Sequence, residues 1–175
     1  VDALGASGHS FGASTVLALA GQRFPVADVG VAEPRFKAFI AFSPAPGNVG
    51  RAFAEVRRPM LLVTGSHDTD ALGRGLTGAD RAGVYDGLPS GARALLWLDG
   101  ADHLSFGGNV AQPLRARWGP LKREPMAGEL EAQHHERIAA ITTLWWQAHL
   151  LGDAAAAAAL RAPSGLGLQD RWRSD

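Results

Sequence analysis

The chain contains no cysteine, which excludes disulfide bonds, thiolate metal sites and a cysteine nucleophile. It has no excess charge of either sign, because 17 Lys and Arg residues are balanced by 17 Asp and Glu residues. A nucleic-acid-binding protein would need a basic excess. No apolar run is long enough for a membrane span. These absences argue against a nucleic-acid partner and a membrane span, and they carry no information on compartment or oligomeric state.

The length and composition are those of one globular domain. The chain has 175 residues, of which 46% are hydrophobic and 19% are charged, as in a typical soluble protein. It begins at Val1 without a methionine. A targeting segment could therefore have been lost, and the localisation stays open.

Strand-like and helix-like segments alternate along the chain. The strands are expected at 3–7, 36–42, 60–64 and 93–98, and the helices at 13–20, 51–56, 79–86, 129–148 and 153–161. This alternation predicts an α/β fold, with a mostly parallel sheet covered by helices on both faces. We expect a single domain over 1–161 and a poorly ordered tail over 162–175.

The first predicted strand leads directly into Gly8-His9-Ser10-Phe11-Gly12, and a helix follows. A strand, then G-x-S-x-G, then a helix is typical of a nucleophile elbow. A serine hydroxyl becomes a useful nucleophile when a sharp turn projects it toward a base. We expect the backbones to approach so closely that only glycine fits at Gly8 and Gly12. The helix N-terminus would direct N–H groups at a developing oxyanion, so Ser10 is the predicted nucleophile.

Two further reactive side chains follow predicted strands. Ligands bind at the carboxyl ends of parallel strands, where Asp68 follows the third strand and His103 the fourth. The order Ser, Asp, His is that of the α/β-hydrolase triad. His103 would take the Ser10 proton and pass it to the leaving group, while Asp68 fixes the tautomer and stabilises the imidazolium. Asp70 is an alternative acid, although Asp68 is closer to the strand end.

The other five histidines are less well placed to act as the base. His9 lies inside the elbow, at a position expected to point away from the nucleophile, and His67 would face away from a base position. His134, His135 and His149 fall on the late helix. Adjacent His134 and His135 point to different sides of a helix, and the H-E-x-x-H spacing of zinc sites does not occur. We expect neither a metal site nor a cofactor.

Several segments resemble α/β-hydrolases, most closely the dienelactone-hydrolase-like branch, which is related to platelet-activating-factor acetylhydrolase and chlorophyllase-type esterases. These segments are 8–13, 34–44, 65–68, 99–108 and the last helix around 145–150. The resemblance runs from Val1 to about Leu160. It implies a serine esterase with Ser10, Asp68 and His103 as nucleophile, acid and base. True dienelactone hydrolases use cysteine, which this chain lacks, so their substrate is not carried over.

The chain matches only the C-terminal four strands of that family's larger sheet, beginning at the elbow strand. The resemblance places one oxyanion donor at the Phe11 backbone N–H, and the second on a loop after an earlier strand that has no counterpart here. Loss of one donor typically costs about a hundred- to a thousandfold in rate. The elbow strand would also become an exposed edge. We therefore expect the chain to be the C-terminal half of a longer protein.

Together these features predict hydrolysis of a small-molecule carboxylic ester through an acyl-enzyme. Acyl transfer or peptide hydrolysis would use the same triad, and a non-catalytic or incomplete member of the fold could act as a binding module instead. The segment 43–58 is too short for a cap domain, so we expect an open site. The segment 113–118, with Lys122 and Arg123, could form a basic aromatic rim that favours anionic esters, or an ordinary solvated loop.

Overall fold

The structure is a computed structural model that describes residues 3–23, 31–46, 51–70, 75–107 and 125–175. Its centre is a five-stranded sheet in the order β1-β2-β3-β4-β5. The strands are β1 (Leu4–His9), β2 (Phe36–Phe42), β3 (Met60–His67), β4 (Arg93–Asp102) and β5 (Arg171–Ser174). β1 to β4 pair in parallel, and β5 is antiparallel to β4. The predicted α/β class and mostly parallel sheet are confirmed.

Six helices lie in the described ranges. They are α1 (Phe11–Ala20), α2 (Gly78–Ala82), α3 (Val84–Gly87), α4 (Pro125–Glu129), α5 (Glu131–Leu150) and α6 (Ala154–Ala159). Short 3₁₀ turns span Arg51–Phe53 and His103–Phe106. The helix predicted over 51–56 is only the first of these turns, and the helix predicted over 79–86 is interrupted at Gly83. None of the helices in the described ranges is long and apolar enough to cross a bilayer.

Both faces of the sheet are buried, as in most parallel sheets. Successive side chains of a strand point to opposite faces. In β3, Leu62 packs in one apolar cluster with Leu17 of α1, whereas Leu61 packs in a second cluster with Ile141 and Trp145 of α5. The two clusters form the core, and they hold the sheet between α1 and α5.

Three of the four parallel strands, β1, β3 and β4, extend further at their carboxyl ends than their apolar runs predict, whereas β2 ends where predicted. β1, β2, β3 and β4 end at His9, Phe42, His67 and Asp102. Small and polar residues occupy the added positions, such as Gly65 and the residues that follow it in β3, so hydrophobicity does not reveal them. The consequence is that four polar residues follow strand ends directly, namely Ser10, Ser43, Asp68 and His103.

The C-terminal segment over 162–175 is not the poorly ordered tail that the sequence predicts, since part of it forms β5. The Arg171 guanidinium lies 5.7 Å from the centre of the Trp97 ring. The Arg173 guanidinium lies 4.2 Å from the centre of the Tyr85 ring. These cation–π contacts join residues far apart in sequence. The prediction failed because alternating arginines on a strand show no local apolar pattern.

β1 lies at one edge of the sheet, where the strand order gives it β2 as its neighbour. Its residues are only partly buried, apart from Ser7, which is exposed. The predicted edge position of the elbow strand is thus present among the described residues. An unpaired strand edge leaves backbone N–H and C=O groups free to pair.

Candidate active site

Ser10 lies in a strained turn between β1 and α1. Its backbone has φ 58° and ψ −113°, a positive φ that residues with side chains rarely adopt. Its N–H donates to the Phe42 carbonyl at 3.0 Å, which ties the turn to the end of β2. Strain of this kind costs about 1–3 kcal/mol and persists only where the surrounding structure fixes it. The turn projects the hydroxyl beyond the strand end, as the elbow motif predicts.

The two glycines that flank Ser10 have different environments. A Cβ at Gly8 would lie 2.4 Å from the Gly12 carbonyl oxygen, so any side chain there would displace backbone. A Cβ at Gly12 would meet no described atom within 4 Å. The predicted steric need for glycine holds at Gly8 and is wrong at Gly12, because the Cβ direction of Gly12 leads into open space.

The structure brings Ser10, Asp68 and His103 together. His103 Nε2 lies 3.0 Å from Ser10 Oγ, and His103 Nδ1 lies 2.8 Å from Asp68 Oδ1. The Asp68 side chain is fully buried and the His103 side chain is 15% exposed. A neutral imidazole that donates from Nδ1 to the carboxylate has a free lone pair on Nε2 to accept the serine proton. The arrangement is therefore suited to general-base activation of the hydroxyl.

Asp68, rather than Asp70, is the carboxylate hydrogen-bonded to His103. The Asp70 backbone N–H donates to the Leu76 carbonyl at 2.9 Å, which directs that residue along the following loop. Asp68 directly follows β3. The position directly after β3 therefore places Asp68, and not Asp70, beside His103.

Three residues that the sequence analysis did not single out surround the Asp68 carboxylate. Thr64 Oγ1 donates to Asp68 Oδ2 at 2.8 Å, and Ser43 Oγ donates to the same oxygen. Arg81 Nε lies 3.1 Å from Asp68 Oδ1, with the two side chains 3% and 0% exposed. The buried carboxylate therefore has both a cationic partner and hydrogen bonds to each oxygen, which a buried charge requires.

Arg81 also anchors the loops around the acid. Its Nε donates to the Asp68 carbonyl at 3.0 Å, and its Nη1 donates to the Ser43 carbonyl at 3.0 Å. One guanidinium from α2 thereby fixes the chain after β2 and after β3. No motif marks Arg81 in the sequence, whereas Ser43 could have been found by the same strand-end rule that selected Asp68 and His103.

His9 packs against His103, which corrects the prediction that it points away from the nucleophile. The two ring centres are 4.8 Å apart, and His9 Nε2 donates to the His103 carbonyl at 2.8 Å. Burial, together with the neighbouring His103, lowers the pKa of His9 to about 4, so its ring is neutral at pH 7. The prediction failed because it considered β1 alone, whereas His103 reaches this position from the end of β4.

The remaining histidines take part in other contacts. His134 Nε2 donates to the Asp99 carbonyl at 2.8 Å, His135 Nε2 lies 4.0 Å from Glu131 Oε1, and the His149 ring centre is 4.1 Å from that of Trp145. His67 pairs in register with Asp102. Within the described ranges, no three His, Asp or Glu side chains are grouped so that they could hold a metal ion.

Phe11 begins α1, directly after Ser10. Backbone N–H groups in the first turn of a helix lack an intrahelical acceptor and are available to an anion. The Phe11 side chain is 69% exposed. Phe11 can therefore offer its N–H to an oxyanion near Ser10, with its ring on the open side of the elbow.

The predicted basic rim over 113–118, with Lys122 and Arg123, lies outside the described residues. The choice between a rim and a solvated loop is therefore left to experiment.

Comparison with protein-family models gave no match, and a search of curated proteins gave none. The geometry around Ser10, Asp68 and His103 is therefore the basis on which a function can be proposed.

Proposed function

We propose that the chain is a serine hydrolase of the α/β-hydrolase fold that cleaves small carboxylic esters through an acyl-enzyme. The observation that carries this proposal is the position of the His103 ring. It lies 3.0 Å from Ser10 Oγ on one side and 2.8 Å from Asp68 Oδ1 on the other. No cofactor is needed for this chemistry.

Ser10 attacks the ester carbonyl while His103 Nε2 takes the hydroxyl proton. The carbonyl oxygen becomes an oxyanion, and the imidazolium is stabilised by the Asp68 carboxylate. As the tetrahedral intermediate collapses, the C–O bond to the alcohol breaks and His103 returns the proton to the leaving oxygen. The product of this half-reaction is an ester of Ser10.

Water then replaces the alcohol in the second half-reaction. His103 takes a proton from the water as it attacks the acyl carbon, and a second tetrahedral intermediate collapses with Ser10 as the leaving group. The proton returns to Ser10 Oγ and the carboxylic acid departs. In both halves the Phe11 N–H would stabilise the oxyanion, a contribution worth about 3–4 kcal/mol per donor in other serine hydrolases.

The assignment to the α/β-hydrolase fold is supported by how the chain reaches the site. The nucleophile follows β1 at a positive-φ turn before α1. The acid follows β3 and the base follows β4, which is the chain order of that fold. Because β1 to β4 pair in parallel, the carboxyl ends of these strands lie at the same end of the sheet.

A second candidate function is a binding module that keeps the fold without turnover. It is favoured by the edge position of β1, because the second oxyanion donor of such sites comes from a loop after another strand. A site that offered the Phe11 N–H without a second donor would hold an ester poorly in the transition state.

A fluorophosphonate probe separates the two candidates, because it reacts with an activated serine. The esterase proposal predicts a covalent mass increase of one probe on the wild-type chain and none on Ser10→Ala. Ser7→Ala removes an exposed serine three positions earlier in β1 and should label like wild type. An unlabelled wild type, or equal labelling of Ser10→Ala, would support the binding module.

A further inference from the structure

Ser43 contacts Asp68 and His103, the two residues of the proposed triad other than the nucleophile. Its side chain is fully buried. Its Oγ donates to Asp68 Oδ2 and lies 3.2 Å from His103 Nδ1. One hydroxyl therefore spans the hydrogen bond between acid and base, at a point that substrate does not reach.

These contacts allow only one arrangement of protons. Asp68 is paired with the Arg81 guanidinium at 3.1 Å and accepts hydrogen bonds on both oxygens, so the single proton of the Ser43 hydroxyl points to Asp68 Oδ2. The lone pairs of Ser43 Oγ then face His103 Nδ1, which must carry hydrogen to avoid repulsion. A neutral imidazole with hydrogen on Nδ1 has none on Nε2. The free lone pair on Nε2 therefore faces Ser10.

The backbone of Ser43 is held in a conformation that favours glycine. Its φ is 52°, its N–H donates to the Val63 carbonyl at 2.8 Å, and its carbonyl accepts from Arg81 Nη1 at 3.0 Å. Strain at a non-glycine residue persists where neighbouring contacts fix it and is often found at functional sites. Glycine would relax this strain at no steric cost. The presence of serine rather than glycine in this strained conformation therefore indicates that the hydroxyl has a role.

We propose that Ser43 is a positioning residue that fixes the His103 tautomer with hydrogen on Nδ1 and stabilises the imidazolium formed during acylation. As the proton arrives at Nε2, the Nδ1–H becomes more acidic, and the Ser43 oxygen accepts part of that hydrogen bond beside Asp68 Oδ1. No bond to substrate is formed or broken by Ser43. This inference rests on the proposed ester hydrolysis at Ser10.

The test compares Ser43→Ala with Ser43→Gly, since both remove the hydroxyl but only glycine relaxes the backbone. Hydrogen bonds to charged groups contribute enough that their loss slows a reaction by about 10- to 100-fold. We expect that loss in kcat for p-nitrophenyl acetate in both variants, with KM unchanged because Ser43 does not touch substrate. The rate constant for fluorophosphonate labelling should fall by the same factor.

The outcomes separate this inference from the proposed function. If wild type does not label, the esterase proposal fails. If wild type labels and Ser43→Ala labels equally fast, only the role of Ser43 fails. Recovery of activity in Ser43→Gly alone would assign the effect to backbone strain and overturn the inference.

A measurement on the wild-type chain keeps the inference testable even if neither variant folds. Nitrogen-15 NMR distinguishes the two neutral imidazole tautomers, and Asp68→Asn serves as the reference that removes the carboxylate partner. Hydrogen on His103 Nδ1 is the expected result. Hydrogen on Nε2 in the wild-type protein would refute the proton arrangement on which the role of Ser43 depends.

Discussion

The Asp68 carboxylate is the residue on which the electrostatics of the site converge. It is fully buried, and its oxygens contact His103 at 2.8 Å, Thr64 at 2.8 Å and Arg81 at 3.1 Å. Replacing a carboxylate by an amide at such a position keeps the shape and removes the charge. The effect on catalysis is therefore a direct measure of what the charge does.

Asp68→Asn should lower kcat for p-nitrophenyl acetate by roughly 10⁴-fold, the loss seen when the acid of a serine triad becomes an amide that favours the wrong tautomer. Asp70→Asn is the matched control and should retain wild-type activity. A larger loss in Asp70→Asn than in Asp68→Asn would assign the acid to position 70. Active sites should be counted by fluorophosphonate titration before rates are compared.

The lowered pKa of His9 makes the stability of the folded chain depend on pH. Burial lowers its pKa from 6.5 to about 4 in the folded chain, so the unfolded chain binds a proton at higher pH than the folded chain does. Stability from the neutral ring is complete above pH 6.5 and is lost as the pH falls toward 4. Protonation would also place a cation beside His103.

His9→Gln should therefore be less sensitive to acid than wild type, because glutamine does not titrate and its amide can still donate to the His103 carbonyl. Urea unfolding at both ends of that pH window measures the difference in the free energy of unfolding. We expect the stability advantage of wild type over His9→Gln to shrink toward the acid end. An advantage that is constant or grows would contradict the lowered pKa.

Which site residues the sequence can reveal depends on whether their position follows from local pattern. Ser10 is marked by the elbow motif, and Asp68 and His103 by strand ends. Ser43 stands at an equivalent strand end but lies among prolines that indicate only a loop. Arg81 reaches the site from a helix, through a contact of its Nη1 with a residue 38 positions away, and no spacing rule predicts such a contact.

At the level of elements, the turn between β1 and α1 depends on one close backbone approach. A Cβ at Gly8 would lie 2.4 Å from the Gly12 carbonyl oxygen, so the start of α1 and the end of β1 could not keep their separation. The Ser10 hydroxyl, whose position depends on both elements, would then move relative to His103.

Gly8→Ala should therefore either prevent folding or give a folded protein that fluorophosphonate does not label. Circular dichroism would distinguish these two results. Gly12→Ala is the control, since its Cβ would meet no described atom within 4 Å. Alanine is also favoured over glycine within a helix by about 1 kcal/mol. We expect Gly12→Ala to fold, to be at least as stable as wild type and to label. Equal loss in both variants would show that the motif acts by something other than this contact.

Element prediction succeeds here where an element is apolar and ends at a recognised cap. The helix predicted over 13–20 ends at Gly21, which has φ 117°, and in the helix predicted over 153–161 the Asp153 carboxylate caps α6 through the N–H groups of Ala155 and Ala156. It fails at β5, whose strand conformation depends on pairing with β4 and on cation–π contacts across the sheet.

For the whole molecule, the C-terminal segment and β4 stabilise each other. β5 covers the outer edge of β4, and the Asp170 carboxylate accepts from the Asp99 N–H at 2.9 Å while pairing with Arg137 at 3.2 Å. Asp99 lies in β4, the strand that His103 directly follows. The segment therefore braces the strand on which His103 depends.

A chain ending at Asp170 should have a lower Tm, because the β4 edge and part of the second core cluster lose their cover. In a chain of this size each kcal/mol lost lowers Tm by about 2–4 °C. The exposed edge should also promote self-association on size-exclusion chromatography. Asp86→Ala, which removes the half-exposed ion pair with Arg173 and leaves Arg173 against the Tyr85 ring, should change stability by less than about 1 kcal/mol. An unchanged Tm in the shortened chain would mean that β5 contributes no stability.

The pairing of Arg81 with Asp68 bears on how substrates arrive. With a neutral imidazole, the buried pair carries no net charge, and the chain as a whole carries none either. Long-range attraction or repulsion of a charged molecule requires an uncompensated field. The Arg81–Asp68 pair therefore adds no long-range field of its own, and any dependence of the proposed ester hydrolysis on ionic strength would come from charges outside this pair.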